Sequence, residues 1–164
     1  MIFIGMQMKK IIILSSILLF TSFLANASNG VVKHQSKYSV EETANRFEQL
    51  ALNKGMTIFT RINHSQNARN INLELRPTEV IIFGNPKIGT RLMQCNQNSA
   101  IDLPQKVLIS KDASNKVWLS YNDPNYLIKR HDIKDCDGVA NKISSVLNKL
   151  SQDATSQTTL INSI

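Results

Sequence analysis

Glu79-Val80-Ile81-Ile82-Phe83-Gly84-Asn85-Pro86 is the stretch that decides the fold. The unbroken apolar run from Val80 to Phe83 is typical of a strand covered on both faces, so a central strand is expected here. Asn85 then suits a helix cap and Pro86 its first turn, which takes the chain from strand into a helix running through Leu92 and Met93 to about Gln97. A sheet with helices laid on it follows from this one transition.

Upstream, Val31-Val32 opens a strand, and Ser39 with Glu42 forms a Ser-x-x-Glu capping box. Val40, Ala44, Phe47, Leu50 and Ala51 recur at three-to-four spacing, giving one apolar helix face that Gly55 ends. Met56 to Ile62 alternates imperfectly but is rich in β-branched and aromatic residues, as a strand is.

Downstream, Lys106–Ser110 and Lys116–Tyr121 read as a hairpin across the polar segment Lys111 to Asn115. Trp118 and Ser120 share the face opposite Val117, Leu119 and Tyr121, and Trp118 is expected to pack in the core or at an interface. Tyr126–Arg130 makes a helical turn after Asp123-Pro124. Val139, Ile143, Val146, Leu147 and Leu150 mark a final helix capped by Asp135 or Asp137. From Ser151 the chain is polar and aperiodic, so residues 151–164 are expected to be a disordered tail. The order β-α-β-α-β-α-β-β-α specifies an α+β or mixed α/β domain.

The N-terminus gives an address. Lys9-Lys10, the apolar run Ile11–Leu24 and Ala25-Asn26-Ala27 form a secretory signal peptide over residues 1–27, with Met8 a second sensible start. Its apolar run is shorter than the roughly 20 residues of a membrane-spanning helix. Ser28, not cysteine, opens the mature chain, so no lipid attachment is expected. The mature product should be periplasmic or secreted, with no stable membrane anchor after cleavage. Two of the 19 basic residues leave with the signal, so 17 face 12 acidic ones and the net charge is +5. These charges are scattered, and an exported chain meets no nucleic acid.

Only two cysteines are present, Cys95 and Cys136, both in the mature part. They form either a disulfide, which suits an oxidising destination, or two buried thiols. No Cys-x-x-Cys, zinc-spaced cluster, Gly-x-Ser-x-Gly or dinucleotide fingerprint occurs. Gly84 to Thr90 approaches a phosphate loop, but Thr90 replaces the required lysine and Pro86 removes a donor, so nucleotide hydrolysis is excluded. A weaker anion site at this helix start, helped by Lys87, stays open beside a plain capped turn.

Six stretches carry a resemblance: Arg61-Ile62-Asn63-His64, Leu73 to Glu79, Phe83-Gly84-Asn85-Pro86, Gly89-Thr90, Asp102-Leu103-Pro104 and Trp118 to Pro124. In that order they resemble the domain of unknown function 302 (DUF302) family, from about Val31 to Arg130. The resemblance implies a small α+β domain over residues 28–150, β-α-β(4)-α in outline, its sheet covered by helices on one side. It also implies a homodimer. It implies no activity, and the two cysteines lie outside the family pattern.

His64 is the first candidate for chemistry, since imidazole titrates near neutrality and ligates metals and haem. Glu74 and Arg76 follow, with Asn85, Tyr121 and Asn122 as further ligand-binding candidates; Tyr121 and Asn122 are expected near the same end of the sheet. The favoured reading is a homodimeric small-ligand binding module, its ligand a metal or haem on His64 in one version. The alternatives are an enzyme using His64 as general acid or base with Glu74, and an interaction or scaffold protein. The plain structural reading makes His64 a cap or a buried residue. The cofactor is unknown from sequence.

Overall fold

The computed structural model describes residues 30–134 and 136–156; the expected signal peptide and residues 157–164 lie outside them. Along the chain run β1 (Val31–Ser36), α1 (Val40–Asn53), β2 (Thr57–Asn63), α2 (His64–Asn70), β3 (Thr78–Gly84) and α3 (Pro86–Cys95). A 3₁₀ turn (Gln97–Asp102), β4 (Gln105–Lys111), β5 (Val117–Asn122), α4 (Pro124–Arg130) and α5 (Asp137–Thr155) complete it. The strands form one antiparallel sheet in the order β1-β5-β4-β3-β2. This is the α+β domain that the patterning predicts.

Register explains which side chains meet the helices. Ile81 stands opposite Val107 and Phe83 opposite Gln105, while Ile109 pairs Leu119. These positions point to one face, where Phe47 of α1 and Leu147 and Leu150 of α5 complete a closed core. Phe47 meets Phe83 edge-on at 4.9 Å between ring centres. Each such fully buried side chain contributes about 1.5–3 kcal/mol. Val80 and Ile82 point to the other face and are half-buried. β3 is therefore interior to the sheet but sealed on one face, not both as its apolar run suggests. Leu108 and Trp118 share that second face, so Trp118 lies outside the core.

Local rules held where they are local. Ser39 accepts from the Glu42 N–H at 3.1 Å and starts α1, and Gly55, at φ +72°, follows its end. A bulge between Ile58 and Thr60 accounts for the broken alternation in β2. In the β4–β5 turn, Asp112 accepts from the Trp118 indole at 2.8 Å and from the Ser114 and Lys116 N–H groups. The indole bond first, and then the backbone bonds, hold its carboxyl below the usual carboxylate range.

The tail expected from Ser151 is a correction, because α5 continues to Thr155 with Ser151, Ala154 and Thr155 buried. Its small side chains let the last turn approach the sheet. Its end is capped from far away: the Arg46 guanidinium donates to the carbonyls of Asp153, Ala154 and Ser156 at 3.0–3.2 Å. Arg46 also lies over the Tyr38 ring, 4.3 Å from its centre. At the other end the N-cap is Cys136, with no side-chain cap bond, where the sequence points to Asp135 or Asp137. Cys136 is joined to Cys95 by a disulfide.

Candidate functional site

The helix-covered face of the sheet has two unlike ends. At the end where β2 finishes and β3 starts, Glu79 is only 5% exposed and accepts from Arg61 Nε at 2.6 Å and Asn63 Nδ2 at 3.2 Å. Arg61 Nη1 also donates to Asn45 at 2.6 Å and reaches Glu48 at 3.4 Å. The buried carboxylate is thus met by a guanidinium and an amide, which offsets its desolvation. The network is closed on itself and holds β2, β3 and α1 together.

At the opposite end, where β3 turns into α3 and β4 begins, lies a cleft of about 510 Å³. Small-molecule sites run to about 300–1,000 Å³ and are mostly apolar. Phe83 and Gln105 form its base. Ile88, Gly89 and Met93 of α3 make one wall, and Ile143, Val146 and Leu147 of α5 make the facing one. Met56 and the bulged Phe59 of β2 close a side. Of the stretches that carry the family resemblance, Phe83 to Pro86, Gly89-Thr90 and Leu103-Pro104 all border this one cleft.

The start of α3 explains its shape. The Asn85 side chain accepts from the Lys87 N–H at 3.0 Å, and its carbonyl accepts from the Ile88 and Gly89 N–H groups at 2.9 Å. With Pro86 donating nothing, the first turn has no spare N–H for an anion. Gly89 leaves open space where a Cβ would stand, so its absence of a side chain widens the cleft.

Gln105 was not a sequence candidate, yet it is the one polar side chain built into the base. It is 8% exposed, and its Nε2 has no hydrogen-bond partner. A buried amide left unpaired costs about 1–3 kcal/mol. The signal was present: Gln105 continues the inward alternation of Val107 and Ile109, and it follows Asp102-Leu103-Pro104 directly. Asp102 itself accepts from Arg130 Nη1 at 3.1 Å and bonds His131 Nε2 at 2.5 Å, clasping the 3₁₀ turn to the end of α4.

The six ligand-binding candidates do not come together. His64 is exposed at the first position of α2, and Glu74 and Arg76 are exposed in the segment before β3, with Arg76 donating to the Lys111 carbonyl at 3.1 Å. All three belong to the Glu79 end of the sheet. Asn85, Tyr121 and Asn122 belong to the Phe83 end, and of these Asn85 alone borders the cleft. Tyr121 is buried under the helices and stacks on His34, with ring centres 6.0 Å apart, while Asn122 faces the other way. Burial, and then the Asp123 charge, push the Tyr121 phenol up. No hydrogen bond or ion pair joins His64 to Glu74. Among the described residues no three His, Cys, Asp or Glu side chains are grouped to hold a metal ion.

In comparison with known proteins, the family described as "Domain of unknown function DUF302" matches residues 32–150. A protein of Brucella suis biovar 1 (strain 1330) named "Fluoride-specific ion channel FluC 1" is 45% identical over 114 residues, covering 70% of this chain and 45% of that protein. "Fluoride-specific ion channel FluC 2" of Brucella melitensis biotype 1 is equally identical over 114 residues, 42% of its length. The chain spans less than half the length of these curated relatives. Among solved structures, "Crystal structure of uncharacterized conserved protein DUF302 from Bacillus stearothermophilus" superposes with a TM-score of 0.71 at 15% identity, over 79% of this chain and all of that one. That likeness is one of fold.

Proposed function

The chain belongs to the DUF302 family, and from that membership and the cleft we propose that it is an exported, homodimeric module that binds a small apolar ligand between α3 and α5. The observation that carries the proposal is the cleft itself, apolar, of ligand size, and bordered by three of the stretches that mark the family. The ligand site thereby moves from His64 to the Phe83–Gln105 end of the sheet. Export is supported by the signal-like N-terminus and by the Cys95–Cys136 disulfide, which persists in oxidising compartments. Pairing is supported by the second sheet face, where Val80, Ile82, Leu108 and Trp118 remain partly open.

Neither alternative gains comparable support. An acid-base enzyme needs His64 within reach of a partner carboxylate, and Glu74 makes no bond to it. The channel activity named for the longer relatives is not carried over, since the match spans less than half of their length.

The test uses the neutral probe N-phenyl-1-naphthylamine, whose emission rises in apolar surroundings. Wild type should bind it saturably. Gly89→Leu, which places a side chain in open cleft space, should lose that binding while keeping its melting temperature. Unchanged binding in the variant would overturn the proposal.

A further inference from the structure

The charged side chains that border the cleft among the described residues are all of one sign. Lys54, beyond the end of α1, and Lys142 of α5 stand exposed on its lining, and neither has an acidic partner among the described residues. Gln105 Nε2 is a buried donor without an acceptor. The Asn85 side-chain oxygen is spent on Lys87, which leaves its Nδ2 as a donor. Among the described residues no aspartate or glutamate borders the cleft. An apolar hollow that offers donors and positive charge, and no negative charge, is complementary to an acceptor-bearing anion.

We propose that the ligand is an amphipathic carboxylic acid whose charged head meets Lys54 and Lys142 at the mouth, and whose apolar body carries an uncharged acceptor oxygen for Gln105. This rests on the cleft reading above and deepens it. The division of labour follows from desolvation. A carboxylate driven down to Gln105 would lose its water, whereas at the exposed lysines it keeps that water and gains two cations. A neutral carbonyl or hydroxyl oxygen costs far less to bury and satisfies the amide that is otherwise unpaired. Selection for that oxygen is the strong kind, because a ligand lacking it leaves the buried donor unmatched.

Calorimetric titration of the full mature chain with decanol, decanoate and a set of positional oxodecanoates tests both parts. Decanoate should bind about tenfold tighter than decanol, with the margin shrinking in Lys54→Met/Lys142→Met and in added salt. At least one oxodecanoate should exceed decanoate, and Gln105→Leu should erase that gain while binding decanoate no worse. Equal affinity of decanol and decanoate, or no oxo isomer that depends on Gln105, overturns the acid assignment and leaves the cleft standing. Binding of these probes that survives in Gly89→Leu sinks the cleft reading together with it.

Discussion

Cys95 is the last residue of α3 and Cys136 is the residue from which α5 begins, so their disulfide ties together the two helices that wall the cleft. The bridged cysteines are 41 positions apart, and the segment between them includes the 3₁₀ turn, the β4–β5 hairpin and α4. It thus serves stability and cleft shape at once.

Cys95→Ala should lower unfolding free energy by about 4 kcal/mol at most, the loop entropy of such a crosslink. Chemical denaturation checks the size. The same variant should also bind N-phenyl-1-naphthylamine more weakly, since α3 and α5 are freed to shift apart. A stability loss with unaltered binding would mean that the bridge plays no part in holding the walls.

Arg46→Ala should destabilise the fold by about 2 kcal/mol and fray the end of α5. It leaves three carbonyls, of Asp153, Ala154 and Ser156, without the charged donor that now serves them. Hydrogen exchange should quicken at residues 152–156 before the rest of α5. Arg46→Lys should recover only part of the loss, because an ammonium cannot spread its donors as a guanidinium does.

His34 gives the fold a pH dependence. Burial lowers its pKa, and its Nε2 is enclosed without a partner. The folded state therefore favours the neutral ring, and the unfolded chain binds more protons. Stability should be full above about pH 6.5 and fall as pH drops below it, levelling off once the folded ring is also protonated. Melting curves of wild type and His34→Phe between pH 4.5 and 8 check this; the variant should lose that slope, and an identical slope in both would assign it to another group.

Much of the fold was legible because its signals are local. Ser39, Asn85 and Pro86 announce helix starts through bonds within three residues, and Val80–Phe83 and the Lys106–Ser110 alternation announce strands through their own period. What was missed depends on partners far along the chain. The end of α5 is held by Arg46, 107 to 110 residues away, so Ser151 to Thr155 read alone as a polar tail. The site was harder still. His64 stands out by residue type, whereas the environment that makes a group reactive or a ligand welcome is a product of assembly. The alternation of β4 marks Gln105 as inward-facing, but that it meets a cleft and not the closed core follows only once β4 has paired with β3 and placed it beside Phe83 under the helices.

The bulge at Phe59 has a consequence beyond the cleft it borders. β2 is an outer strand, and an outer strand of regular pleat offers its free amides and carbonyls as a template on which another chain can add. One extra residue breaks the even spacing of that row and turns the strand's twist, so an incoming segment cannot stay in step along it. The insertion that brings an aromatic ring to the cleft also makes the outer edge of the sheet a poor template for fibril growth.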